Sequence, residues 1–255
     1  MAPIVGLSGG LALGALAAAS YVVLPEAVKR VQLARLRDRC RRTRSLVLSY
    51  DDGPGPLLTP RVLERLDAYD ARASFCVLGQ RAAQHPEIVE RLVRAGHEVG
   101  SHGFAHRNAW KTWPWETVRD IRSGFEALGA HADAACPFRP PHGKMTLASW
   151  WALLARDSRV AWWTLDSGDT GSAPRTPDEV AESLCRAGGG TVLLHDFDRG
   201  DGDPNGRARF VVDTTERLLA RAAREGLAVR TFGELFDTAH EAGLTPVLAR
   251  SRAGS

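Results

Sequence analysis

The chain has 255 residues, of which 44% are apolar and 25% charged, with a formal net charge of +3. That length accommodates one large domain or two small ones with a real hydrophobic core, and the composition argues against low-complexity disorder. So small a net charge does not by itself argue for nucleic acid, and the four cysteines (Cys40, Cys76, Cys136, Cys185) form no C-x-x-C pair, which argues against a zinc knuckle, a redox motif or a disulfide framework.

Pro3 to Leu24 runs for twenty-two residues without a charge, enough to cross a bilayer as a helix. Between Lys29 and Arg44 stand eight basic residues against one acid, Asp38. The pair of features predicts a transmembrane or signal-anchor helix over residues 1–25 and a basic juxtamembrane segment over 26–44. Ala17-Ala18-Ala19 offers a cleavage site for a signal peptide instead, but no Lys or Arg precedes the apolar stretch. The positive-inside tendency then puts the body of the protein, membrane-anchored, on the cytoplasmic side, with an extracytoplasmic placement as the alternative.

From residue 45 onward short apolar runs alternate with amphipathic ones. Strands are predicted at Ser45–Tyr50, Ala73–Leu78, Glu98–Ser101, Val160–Thr164, Gly190–Leu194 and Leu227–Thr231. Helices are predicted near Pro60–Tyr69, Pro86–Ala95, Pro114–Leu128, Leu147–Arg156, Pro177–Ala187 and Arg207–Glu225. Thr59-Pro60 and Thr176-Pro177 each offer an N-cap hydroxyl before a first-turn proline, and Glu179 completes a capping box. Strand then helix, repeated, implies a parallel sheet, open or closed as a barrel, in one domain over 45–240, with 241–255 as a tail. In such folds functional groups gather at the carboxyl ends of the strands.

The polar residues stand at those ends. The first strand runs into Asp51-Asp52-Gly53-Pro54, a turn signal whose neighbouring carboxylates point in different directions, so that one can bind a cation while the other accepts a proton. The third ends in Ser101-His102-Gly103-Phe104-Ala105-His106, two histidines four apart that would share a face on a helical turn. With Asp52, His102 and His106 the chain would supply three ligands and leave a fourth position open, the pattern of a catalytic metal. Phe138-Arg139-Pro140-Pro141-His142-Gly143, Asp166-Ser167-Gly168-Asp169 and Leu193-Leu194-His195-Asp196 follow in order.

This ordered set, Asp-Asp-Gly-Pro, His-x-x-x-His, Arg-Pro-Pro-x-Gly, Asp-x-x-Asp and Leu-x-His-Asp, resembles the polysaccharide deacetylase family, the NodB homology domain of carbohydrate esterase family four, over residues 45–235. The resemblance implies a distorted (β/α) barrel of about seven parallel strands, here behind an N-terminal membrane helix. It also implies metal-dependent hydrolysis of an N-acyl group on an amino sugar of a glycan or lipid-linked saccharide. It casts Asp51 as general base, Asp52, His102 and His106 as metal ligands, and His195 as the acid that protonates the leaving amine. Arg139 would orient the base, Asp169 would tune the acid, Leu193 would line the acetyl pocket, and the backbone N–H of His142 would help hold the oxyanion. The implied cofactor is a divalent metal, Zn2+ first, with Co2+ or Mn2+ as alternatives.

The chain departs from the family's usual residues at three positions. Gly103 stands in place of Ser or Thr, removing a hydroxyl that would steady the His106 loop; His142 stands in place of Tyr, and Thr170 in place of Trp. A non-catalytic glycan-binding protein and a sugar O-deacetylase are the alternative readings. Trp110, Trp113 and Trp115 are candidates for sugar stacking, for a bilayer interface or for the core, with at least one expected in the core. Asp201 to Gly206 imitates the start of a calcium loop but lacks its terminal Glu, since Val212 holds that place.

Overall fold

The computed structural model describes residues 5–132, 136–171, 175–199 and 206–241, and side-chain environments from residue 19 to 237. The calcium-like run at 201–206 and the expected tail therefore fall almost wholly outside the described residues. In chain order the elements are α1 (Val5–Arg42), β1 (Ser45–Asp51), α2 (Leu58–Asp67), β2 (Ser74–Val77), α3 (Gly79–Gln84), α4 (Pro86–Arg94), β3 (Glu98–Ser101), α5 (Pro114–Leu128), α6 (Leu147–Leu154), β4 (Leu165–Asp166), α7 (Pro177–Arg186), β5 (Gly190–His195), α8 (Arg207–Glu225), β6 (Ala228–Val229) and α9 (Phe232–Glu241).

The central strand β1 is buried at all seven positions, as a strand covered on both faces must be, and its Leu46-Val47-Leu48 core reads as an unbroken apolar run. Parallel pairing gives the order β3-β2-β1-β5-β4, and β6 joins the base of β1 through Ser45↔Ala228 and Leu46↔Val229. The ring closes through short extended segments rather than through a full seventh strand. Ser101 N donates to Pro137 O (2.8 Å) and Arg139 N to Ser101 O (2.9 Å) on one side. Phe138 N donates to Arg159 O and Ala161 N to Phe138 O, both at 2.8 Å, on the other. The strand predicted at 160–164 thus holds only a bridge at Val160, and its regular part lies further on, in β4 against β5. The outcome is an α/β fold with a parallel, distorted barrel.

The two predicted caps part company. Thr176 Oγ1 accepts from Glu179 N (3.2 Å) while Glu179 Oε2 accepts from Thr176 N (2.7 Å), the reciprocal box expected for α7. Thr59 lies inside α2, and its hydroxyl donates to the buried Asp196 carboxylate (2.6 Å) and accepts from Gly55 N (2.8 Å). The first turn of α2 is capped from another loop: Asp198 accepts from Leu57 N (2.7 Å) and Leu58 N (2.9 Å).

The expected membrane helix is corrected. Among the described residues no helix is long and apolar enough to cross a membrane, so the transmembrane span, the membrane partner and the anchored, cytoplasm-facing placement built on it are all withdrawn. The uncharged stretch is rich in Gly and Ala, which contribute little transfer free energy, and the helix continues without a break through the basic run to Arg42. The basic segment packs against the barrel. Leu36 (4% exposed) and Cys40 (fully buried) enter the hydrophobic core, with Leu33 packed against it, and Gln32 Oε1 accepts from Trp162 Nε1 at 2.7 Å. Leu33, Leu36 and Cys40 repeat at helical spacing, while most of the arginines point to solvent.

If α1 is a working part of the core, Leu36→Ala costs about 2–5 kcal/mol. Calorimetry then records a lower melting temperature, by roughly 2–4 °C per kcal/mol. Val31→Ala, on the same helix at a position 51% exposed, changes stability by no more than about 0.5 kcal/mol.

Candidate active site

The carboxyl ends of β1, β3 and β5 converge at one mouth of the barrel. Asp51 closes β1 and His195 closes β5 as paired positions in register, so their side chains leave the sheet on the same side. Asp51 is 2% exposed, and its Oδ1 accepts from Nη1 of the fully buried Arg139 at 2.7 Å. Burial pushes the Asp51 carboxyl up, and the Arg139 charge opposes that rise.

Asp52, His102 and His106 come together, offering one ligand atom each within 4.8 Å of one another. Asp52 Oδ1 lies 3.5 Å from His102 Nε2 and 3.4 Å from His106 Nε2. His102 Nδ1 sits 2.7 Å from the carbonyl of Arg139. A carbonyl can only accept, so Nδ1 carries the proton and the Nε2 lone pair faces Asp52. Burial brings the His102 pKa down to about 3, which keeps the ring neutral. Asp52 Oδ1 is buried without a hydrogen-bond partner, a costly position for a carboxylate oxygen unless a cation meets it. The donors and the orphaned oxygen therefore fit a divalent metal.

The two histidines do not share a helical turn. They converge through an irregular loop in which His106 takes a positive φ of 55°, as do Asp52 (66°) and His142 (57°). Three side-chain-bearing residues in the left-handed region mark a backbone held against its preference, as functional sites often are.

Gly103 does not leave this loop loose. Its φ is +76° and a Cβ there would overlap the Asp120 carboxylate. Asp120, on α5, accepts from Phe104 N (3.2 Å) and Ala105 N (2.9 Å). A helix-borne carboxylate thus does the work of the missing hydroxyl. The Gly53 of Asp-Asp-Gly-Pro has a similar cause: a Cβ there would collide with the carboxylate of the buried Asp196.

His195 Nδ1 lies 2.8 Å from Asp169 Oδ1, and His195 N donates to Asp169 Oδ2 at 3.1 Å. Burial lowers the imidazole pKa, but the Asp169 hydrogen bond and charge, with Asp51 and Asp52 behind them, outweigh it and raise the value to about 9. Two further residues, given no role by the motifs, hold this pair. Ser167 Oγ donates to Asp169 Oδ1 (3.1 Å), and Arg207, from α8, donates to His195 O (2.9 Å) and stands 3.5 Å from Asp169 Oδ2. Ser167 lies inside the Asp166-Ser167-Gly168-Asp169 run, and that position is its one signal in the sequence; Arg207, one arginine among many, carries none.

Leu193 is buried on β5, and His142 is exposed with its ring 4.4 Å from that of His106. Asp166 takes no part in the cluster: it is exposed, and its Oδ1 accepts from Gly168 N (2.9 Å). Nor does the core take any of the three tryptophans. Trp110, Trp113 and Trp115 are 42%, 65% and 61% exposed. Trp110 is steadied by Nε1 donating to Met145 O (2.9 Å), and Trp113 and Trp115 stack on each other at 5.1 Å.

Residues 38–161 match the polysaccharide deacetylase family. Over 179 residues the chain is 32% identical to a chitooligosaccharide deacetylase of Bradyrhizobium sp. (strain ANU 289), covering 69% of this chain and 78% of that protein. A peptidoglycan-N-acetylglucosamine deacetylase of Bacillus cereus is 30% identical over 198 residues, covering 76% of this chain and 89% of the relative. The crystal structure of a peptidoglycan N-acetylglucosamine deacetylase in complex with 4-naphthalen-1-yl-N-oxidanyl-benzamide is similar with a TM-score of 0.67 at 25% identity, over 77% of this chain and 90% of that one.

Removing one of the three converging donors tests whether the cluster takes a divalent cation. Asp52→Ala is expected to weaken divalent-cation binding by at least about 100-fold, because loss of even an outer-shell partner costs roughly 10–100-fold. Competition with a chelating dye measures this, and an unchanged affinity would remove Asp52 from the ligand set.

Proposed function

Because the chain belongs to the polysaccharide deacetylase family, we propose that this site hydrolyses the N-acyl group of an amino sugar in a glycan or lipid-linked saccharide. The observation that carries the reading is the Asp52, His102 and His106 cluster flanked by two supported proton carriers, Asp51 on Arg139 and His195 on Asp169.

Asp52, His102 and His106 would hold the metal, and two imidazoles with one carboxylate favour zinc, while cobalt and manganese accept the same donors. When bound, such a cation polarises the acyl carbonyl and acidifies the attacking water. Asp51 takes the proton from that water, and Arg139 fixes the direction in which its carboxylate faces. The His142 N–H adds a donor for the oxygen that becomes negative as the carbonyl carbon turns tetrahedral. An amine anion is a very poor leaving group, so His195 delivers a proton to the sugar nitrogen as the C–N bond breaks. Asp169 holds the His195 ring by Nδ1, leaving Nε2 as the donating atom, and stabilises its charged form. Leu193 forms an apolar wall for the acyl methyl.

Acetate release from N-acetylated chitooligosaccharides tests the reading. Asp51→Asn and His195→Ala are each expected to lower kcat by about 10²–10⁴-fold. Release that persists at the wild-type rate in Asp51→Asn would overturn the assignment.

The pH dependence follows from the sign of the His195 shift. A raised pKa keeps the ring protonated through neutral pH, and the proton, with the activity, is lost as pH climbs toward about 9. A cation at Asp52 moves that falling limb to lower pH. Asp169→Asn removes a group that raises the pKa and shifts the alkaline limb of kcat/KM to lower pH still, with the acid limb unmoved.

A further inference from the structure

We propose that Lys29, on the helix that precedes the barrel, is a positioning residue: its ammonium pins the turn carrying His142 and the Trp163 wall beside it. The proposal rests on the hydrolase reading above and goes beyond it, since α1 lies outside the stretch that carries the motifs.

Lys29 Nζ donates to the carbonyl of Gly143 at 2.9 Å, across 114 residues of sequence. The side chain is only 17% exposed, and the ammonium lies 5.0 Å from the Trp162 ring centroid and 6.0 Å from that of Trp163. Glu26 is its one carboxylate partner among the described residues, at the limit of 4.0 Å. Lys29 is therefore committed to a backbone oxygen and two aromatic faces rather than to an ion pair. Its stem leaves a helix that is itself fixed to the barrel by Leu36, Cys40 and the Gln32 to Trp162 bond.

The turn it holds needs outside support. His142 takes a positive φ of 57°, which a residue with a side chain seldom keeps unaided, and Gly143 follows it at 62°, a conformation open to glycine. A Cβ on Gly143 would lie 2.8 Å from Trp163 Cη2 and 3.3 Å from Lys29 Nζ, so this backbone is wedged between the indole and the ammonium. Trp163 also neighbours the Arg139 guanidinium, 5.8 Å from its ring centroid. Lys29 thus bears on the site from two directions: through Gly143 on the oxyanion donor at His142, and through Trp163 on the arginine that orients Asp51. A donor aimed at the transition state acts on kcat more than on KM when it is displaced.

The test is made on the full chain with Lys29→Met, which keeps the stem and removes the charge and donor, and Lys29→Arg, which restores both. Lys29→Met is expected to lower kcat about tenfold with KM within about twofold, since sub-ångström displacement of such donors is costly. Lys29→Arg should recover most of the loss. Amide hydrogen exchange supplies a readout that needs no substrate: in Lys29→Met, residues 142–144 should exchange faster while β1 keeps its protection. Unchanged kcat with unchanged exchange at 142–144 would overturn the proposal. So would a loss of protection spread over the whole barrel, which would mark Lys29 as a general stabiliser. A wild-type chain that releases no acyl group would sink the hydrolase reading alone; faster exchange confined to 142–144 would then still support the pinning role, and its absence would end it.

Discussion

A carboxylate taken out of water must meet a counter-charge or lose its own, and Asp51 meets Arg139. Both are almost completely buried, and they touch at 2.7 Å. Breaking such a pair from one side strands the other charge and costs about 3–5 kcal/mol, so the surrounding backbone is built to keep it. Arg139 Nε donates to Ala161 O, its backbone N to Ser101 O, and its carbonyl accepts from His102 Nδ1. One residue thus joins Asp51 at the end of β1, His102 after β3 and the two short segments that close the barrel. The ring is weakest in regular structure where Arg139 passes through it, and the buried charge replaces a full strand as the reason those segments stay together.

The candidate site was legible because its chemistry sits at strand ends in contiguous motifs. Asp51-Asp52, His102, Arg139 and His195 stand at the ends of apolar runs, with His106 and Asp169 a few residues on, and a parallel fold has one place to gather such residues. What holds them was less legible. Asp120 and Arg207 lie on helices, where an isolated charge reads as solvated surface, and nothing local says that Asp120 caps two amides of another loop. Thr59 illustrates the same limit: Thr-Pro before an amphipathic run is a cap by local rules, yet the hydroxyl turns to Asp196, which only the assembled barrel places beside it.

The N-terminal helix departs from its sequence pattern for a different reason. Its uncharged length and the arginines after it outweighed a weaker pattern, the spacing of Leu33, Leu36 and Cys40 within the basic run. Charge density is conspicuous in a sequence, whereas three apolar residues among eight basic ones are not. The structure inverts the emphasis, because the apolar residues fix the helix to the core while most of the arginines stay solvated. The tryptophans differ in the opposite direction: the core is expected to take at least one of Trp110, Trp113 and Trp115, and all three are exposed, in the stretch that follows His106.

The exchange of a hydroxyl for Gly103 has an outcome that reaches past the loop. A side-chain hydroxyl would brace the ligand segment from within, so that its order would be a local property. Here the brace is Asp120, seated on a fifteen-residue helix, so the segment is only as firm as α5 is. Were a cation held at Asp52, His102 and His106, fraying of α5 would loosen its seat, and its lifetime there would gauge the integrity of a helix that contributes no ligand.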